Sequence, residues 1–111
     1  MDKNIQNIIR DYTNKIAEVL GDKLSKVILY GSYARGDQRD NSDIDLMVLT
    51  SLTNSEIEKL QMVLFDIAFD FEMEHFINIS VVMENEDHFR YWLDTLPFYS
   101  NVESEGVVIS A

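Results

Sequence analysis

The 111-residue sequence predicts an α+β fold, a small mixed β-sheet covered by helices. Three observations carry this. Residues 3–20 and about 55–73 repeat apolar side chains at helical spacing. The runs 26–30, 43–49 and 76–83 are short and rich in β-branched residues, as strands are. The two kinds of segment interleave as helix, strand, strand, helix, strand, helix. The length predicts one domain, 1–111, with a real core and little room to spare.

The first helix gathers Ile5, Ile8, Ile9, Tyr12, Ile16, Val19 and Leu20 on one stripe. Gly21 is a natural stop, and Gly21-Asp22-Lys23 makes a turn. Lys26–Tyr30 is the first strand, Ser32–Arg35 a short helical turn, and Gly36–Ser42 a polar loop without core residues. Asp43–Leu49 is the second strand. After the loop Thr50–Ser55, with Asn54 or Ser55 expected as the N-cap, a second long helix runs to about Met73.

That helix has a core stripe of Ile57, Leu60, Leu64, Ile67, Ala68 and Phe71. Met62, Phe65, Phe69 and Met73 form a second stripe on another side. One apolar face is all that a surface helix needs. Either another element wraps over the second stripe, or it is a contact surface for a partner or for a second copy through helix 55–73. Phe76–Met83 is read as the third strand, with Ile77, Ile79, Val81 and Met83 on one face and Asn78, Ser80 and Val82 on the other. Asn85 is placed to cap a short helix, Glu86–Leu93. Pro97 is expected to break the chain, Phe98–Glu103 to make another helical turn, and Gly106–Ile109 a terminal strand or tail.

Composition excludes several classes. There is no cysteine, hence no disulfide or thiolate metal site. No apolar run approaches the roughly 20 residues that span a bilayer, and the first residues do not open like a secretory signal; a cytoplasmic protein is expected. Nine Lys and Arg against 20 Asp and Glu give 9 − 20 = −11, which argues against nucleic acid as the main partner. His75 and His88 are expected at the surface, and their spacing does not suit zinc.

The chemistry gathers between Val27 and Leu49. In a strand, Asp43 and Asp45 project to the same side. Two such carboxylates repel unless a cation neutralises them, and oxygen ligands that work alongside substrate phosphates suit Mg²⁺. Gly31 permits a tight turn with close backbone approach, and amides entering the Ser32–Arg35 turn would hold phosphate. Ser32 would donate its hydroxyl to a phosphate oxygen, or serve only as a turn residue. Arg35 could meet phosphate or pair with Asp37 or Asp40. Tyr30 and Tyr33 read as packing residues before base-stacking ones, Ser42 as orienting the loop, and Trp92, Phe98 and Tyr99 as core or cover, with clasping a base as the lesser alternative.

Gly31-Ser32, ten intervening residues and Asp43-x-Asp45 resemble the signature of the DNA polymerase β-like nucleotidyltransferase superfamily. The form Tyr30-Gly31-Ser32-Tyr33-Ala34-Arg35-Gly36 and the small size resemble its minimal nucleotidyltransferases. The resemblance implies the polymerase β-like fold and Mg²⁺-dependent transfer of AMP, or another NMP, from ATP or another nucleoside triphosphate to an acceptor hydroxyl. It makes Asp43 and Asp45 the catalytic metal ligands, and Gly31, Ser32 and Arg35 the phosphate-binding residues. It also implies a HEPN-type toxin partner, neutralised by adenylylation of a tyrosine or by direct binding. The superfamily has a third carboxylate on a neighbouring strand. Here the polar face of 76–83 offers Asn78 and Ser80, and Glu72, Glu74 and Glu84 stand at or near its ends. A binding module that masks its partner without chemistry is therefore the alternative. The chain leaves no room for an acceptor-binding domain, which favours a macromolecule docking on the surface.

Overall fold

The computed structural model describes residues 2–110. In chain order these form α1 (Lys3–Leu20), a 3₁₀ turn (Gly21–Lys23), β1 (Leu24–Tyr30), α2 (Ser32–Arg35), β2 (Ile44–Thr50) and α3 (Asn54–His75). Then come β3 (Ile79–Asn85), α4 (Glu86–Trp92), α5 (Pro97–Glu105) and β4 (Val107–Ser110). The four strands form one sheet in the order β3-β2-β1-β4. β2 and β3 are parallel and the other pairs antiparallel, so the sheet is mixed as expected.

Strand alternation divides the sheet into two faces. Val27, Leu29, Ile44, Leu46, Val48, Val81 and Met83 pack under α1 and α3 in the larger core. Ile28, Met47 and Leu49 face the other way, against Phe89 of α4 and Val102 of α5. Because β2 is covered on both sides, it reads as a continuous apolar run once past Asp45. Tyr12, wholly buried on α1, donates its hydroxyl to the Leu64 carbonyl of α3 at 2.9 Å and so joins the two long helices.

Several boundaries differ from the sequence expectation. β1 starts two residues earlier, at Leu24, and carries a bulge near its start. β2 begins at Ile44, which leaves Asp43 just outside the strand. The N-cap of α3 is Thr53, not Asn54 or Ser55: its hydroxyl accepts the Glu56 N–H while the Glu56 carboxylate accepts the Thr53 N–H, a reciprocal capping box. α3 runs on to His75, whose ring is partly exposed and stacks on Phe71 (5.9 Å). β3 begins at Ile79 and not at Phe76. Phe76 ends α3 in the left-handed conformation (φ 54°), and the Glu72 carboxylate accepts the Ile79 N–H at 2.9 Å. Pro97 starts α5 instead of breaking the chain, because the first helical position needs no N–H donor.

Among the described residues, no element covers the second stripe of α3. Met62, Phe65, Phe69 and Met73 are exposed and Phe76 is 93% exposed, so the stripe is a surface and not a second core. No helix among the described residues is long and apolar enough to cross a membrane.

Candidate active site

The site residues meet at one end of the β1–β2 pair. Tyr30, last in β1, pairs with Asp45 of β2, so the turn after β1 lies against the beginning of β2. Gly31 has φ +75°, and a β-carbon there would overlap the Asp45 carboxylate, lying 3.1 Å from its Cγ. Only glycine combines that backbone with that approach. The Gly31 carbonyl accepts the Ala34 and Arg35 N–H groups and so closes α2. The Ser32 and Tyr33 amides come first in the helix and have no intrahelical acceptor. Gly36, at φ +81°, ends the turn. In the loop beyond, the Ser42 hydroxyl accepts the Arg39 N–H at 2.8 Å, the loop-orienting role expected of it.

Asp45 is half-buried and Asp43 exposed. Burial raises the Asp45 pKa above the usual carboxylate value, the Asp43 charge raises it further, and Arg35 opposes both. Two carboxylates therefore act on each other here. Burial, with the Asp45 charge beside it, also pushes the Tyr30 hydroxyl up to about 12. The donor set, two carboxylates with room for substrate oxygens, fits a hard divalent cation such as Mg²⁺.

Arg35 stands with its guanidinium 3.2 Å from Asp37 and 3.3 Å from Glu105 of α5. The Asp37 pairing was one of the two readings left open by the sequence; Glu105, 70 residues away, had no local signal. Ser80 of β3 is the register partner of Asp45. Asn78 precedes β3, and its carbonyl accepts the Ile44 N–H at 2.8 Å.

The family whose model is described as polymerase beta, nucleotidyltransferase matches residues 4–109. The chain belongs to this nucleotidyltransferase family. A candidate protein adenylyltransferase of Methanocaldococcus jannaschii is 33% identical over 105 residues, covering 95% of this chain and 98% of that protein. The protein adenylyltransferase MntA of Shewanella oneidensis is 42% identical over 52 residues, 44% of this chain and 37% of MntA. A crystal structure of a toxin-antitoxin with AMP-PNP aligns with TM-score 0.56 and 22% identity, over 92% of this chain and 73% of that one. A candidate minimal nucleotidyltransferase aligns with TM-score 0.56 and 19% identity, over 96% and 95%. These structural likenesses show the polymerase β-like fold.

This nucleotidyltransferase departs from a three-carboxylate site. Among the described residues no three Asp, Glu, His or Cys side chains gather to hold a metal. Glu72 is engaged by the Ile79 amide, and its charge acts on Tyr12, on the opposite face from Asp45. Glu74 is exposed at the end of α3. Glu84 shares the Asp45 face but lies four residues along β3 from Ser80, about 13 Å, and accepts the Tyr99 hydroxyl at 3.0 Å.

Proposed function

We propose that this nucleotidyltransferase transfers AMP from a nucleoside triphosphate to a hydroxyl on a partner protein, as the antitoxin of a toxin-antitoxin pair. In that reaction the acceptor hydroxyl gives up its proton to solvent, its oxygen forms a bond to the α-phosphorus as the bond from that phosphorus to the bridging oxygen breaks, and pyrophosphate leaves. The observation that carries the reading is the contact of the Gly31 turn with Asp45, which brings the first amides of α2 close to a carboxylate pair. The relatives named as protein adenylyltransferases and the toxin-antitoxin structural neighbours support the protein acceptor and the antitoxin role.

Asp43 and Asp45 would hold Mg²⁺, which supplies charge neutralisation of the phosphates during transfer. Gly31 and Ser32 would place the triphosphate, and Arg35 would turn to it from Asp37 and Glu105. Positioning and electrostatic stabilisation then do most of the work. The partner we assign to the exposed α3 face is a HEPN-type toxin. A second copy would bring another −11 charge against the first, so a partner with basic groups around an apolar centre fits better.

Ser80 opposite Asp45 favours a second reading, a module that masks its partner without chemistry. A serine cannot take a proton at neutral pH, and a missing base costs on the order of 10²–10⁴ in rate. The deciding experiment is intact-mass analysis of a candidate HEPN-type partner after incubation with this protein, ATP and Mg²⁺, with Asp43→Ala in parallel. A gain of AMP units that the variant abolishes supports the enzyme. An unmodified partner in a stable complex supports the masking module.

A further inference from the structure

Beside the Gly31 turn a groove of about 230 Å³ runs between the end of β1 and α5, lined by Tyr30, Gly31, Arg35, Phe98, Asn101 and Glu105. We propose that this groove holds the base and ribose of the nucleotide, with Phe98 as the stacking face and Asn101 as the group that reads the base. The proposal rests on the nucleotidyl-transfer reading and adds to it the residues that receive the nucleoside.

The groove lies on the Asp45 face of the sheet, because cross-strand partners share a face and Tyr30 is the partner of Asp45. Its α5 wall comes from helical spacing: Phe98, Asn101 and Glu105 stand at i, i+3 and i+7, on one side of the helix. Val102, on the same side, is buried against β1 and Met47 and fixes the helix there. Gly106 leaves no room for a β-carbon between Val102 and Ile28, so the end of α5 is held close to the sheet.

Phe98 is 46% exposed although its ring is held edge-on by Tyr30 at 5.7 Å and touches Tyr99 at 5.6 Å. An aromatic ring fixed in place with an open surface is a ready stacking platform that costs little ordering on binding. Asn101 lines the groove, is exposed, and its amide makes no hydrogen bond among the described residues, so it has both a donor and an acceptor to offer.

Charge decides which part of the nucleotide belongs here. Glu105 contributes a carboxylate to the groove, and that negative charge stays behind when Arg35 turns to the triphosphate along the Gly31 turn. Such a groove disfavours phosphate and accepts a neutral base and ribose. Its volume also lies below the roughly 300–1,000 Å³ of drug-sized sites, which suits one ring system with the triphosphate left outside along the Gly31 turn. The larger cavity of about 320 Å³, between α1, α2 and β4, is lined by residues of the other face such as Ile9, Leu29 and Ile109, away from the face that carries Asp45.

The test is calorimetric titration of the full chain with Mg·ATP, Mg·GTP, adenosine and Mg·tripolyphosphate. Phe98→Ala is expected to weaken ATP and adenosine roughly tenfold, as loss of one stacking contact does, and to leave tripolyphosphate unchanged. Phe98→Tyr keeps a ring and retains ATP affinity. Asn101→Ala is expected to move the ratio of ATP to GTP affinity severalfold. Equal losses for tripolyphosphate would mean that the groove holds phosphate, and unchanged ATP binding in both alanine variants would mean that the nucleoside lies elsewhere; either overturns the proposal. A wild-type protein that binds neither ATP nor tripolyphosphate overturns the nucleotidyl-transfer reading itself, and this proposal with it.

Discussion

Gly31 and Asp45 are packed so closely that the first has no room for a side chain while the second stays half-buried. The turn that would seat phosphate and the carboxylate that would seat metal are therefore one mechanical unit. Gly31→Ala must adopt φ near +75° with an extended ψ, a region nearly reserved for glycine that costs other residues about 1–3 kcal/mol, and must also push Asp45 aside. We expect a Tm lower by several degrees and a transfer rate lower by at least about 10². Calorimetry and the AMP-transfer assay read the two effects; a variant with wild-type activity would separate the turn from the carboxylate.

How far this arrangement could be read from sequence depended on whether the deciding contact was local. α1, α2 and the β1–turn–β2 segment were legible because their signals are periodicity, Gly31 and Gly36, all within a few residues. Thr53-x-x-Glu56 is a capping box by pattern, yet Ser55-x-x-Glu58 is one as well, so the sequence alone does not choose between them. The start of β3 was misplaced because Phe76 and Ile77 are good strand formers, while the helix ends on Phe76 in a conformation usually given to glycine. Pro97 looked like a break because proline ends a helix and begins one equally well, and only the helical run Phe98–Glu105 decides between the two. Glu105, Phe98 and Asn101 could not be read as neighbours of the turn, since only the packing of Val102 and Gly106 brings α5 there.

Asp45 carries its charge at a disadvantage, from burial first and then from Asp43. Asp45→Asn removes that disadvantage and is expected to raise the Tm of the metal-free protein by a few degrees while abolishing transfer. Millimolar Mg²⁺ should raise the wild-type Tm by mass action and leave the variant unmoved. A Mg²⁺ shift that persists in both Asp43→Asn and Asp45→Asn would place the cation away from this pair.

Arg35 is held by two exposed carboxylates, and pairs of that kind contribute little in water. Moving the guanidinium to a phosphate is therefore cheap. Glu105→Gln is expected to lower KM for the triphosphate roughly twofold to fivefold, and Arg35→Ala to raise it about tenfold with little change in Tm. Steady-state kinetics with ATP as the varied substrate checks both. Unchanged KM in Arg35→Ala would leave the arginine as a purely structural link between α2 and α5.

The α3 capping box makes a pH prediction. The Thr53 N–H and hydroxyl hold the Glu56 pKa below its ordinary value. A carboxyl depressed in the folded state contributes stability above its unfolded pKa of about 4.3, and that contribution is lost as the pH falls through the folded value. Glu56→Gln is expected to lower Tm at pH 7, and the difference from wild type to shrink as the pH falls below the ordinary carboxylate range. A difference that stays constant down to pH 3 would assign the loss to packing instead of charge.

The exposed face of α3 tests the partner assignment. Phe65 and Phe69 lie one helical turn apart, with Met62, Met73 and Phe76 continuing the line, and acidic Asp66 and Asp70 stand exposed beside it. The core stripe of α3 is carried by Ile57, Leu64 and Ala68 on another side, so Phe65→Glu and Phe69→Glu should leave Tm within a degree or two. Burial of one such phenylalanine contributes roughly 1.5–3 kcal/mol, so each variant should weaken the complex with the proposed toxin partner by about tenfold to 100-fold. Co-elution of the two purified proteins by size exclusion, followed by calorimetry, measures this. An intact complex in the double variant would move the docking surface off α3. A wild-type chain that sediments as a dimer, and as a monomer in the double variant, would give the face to a second copy despite the charge between them.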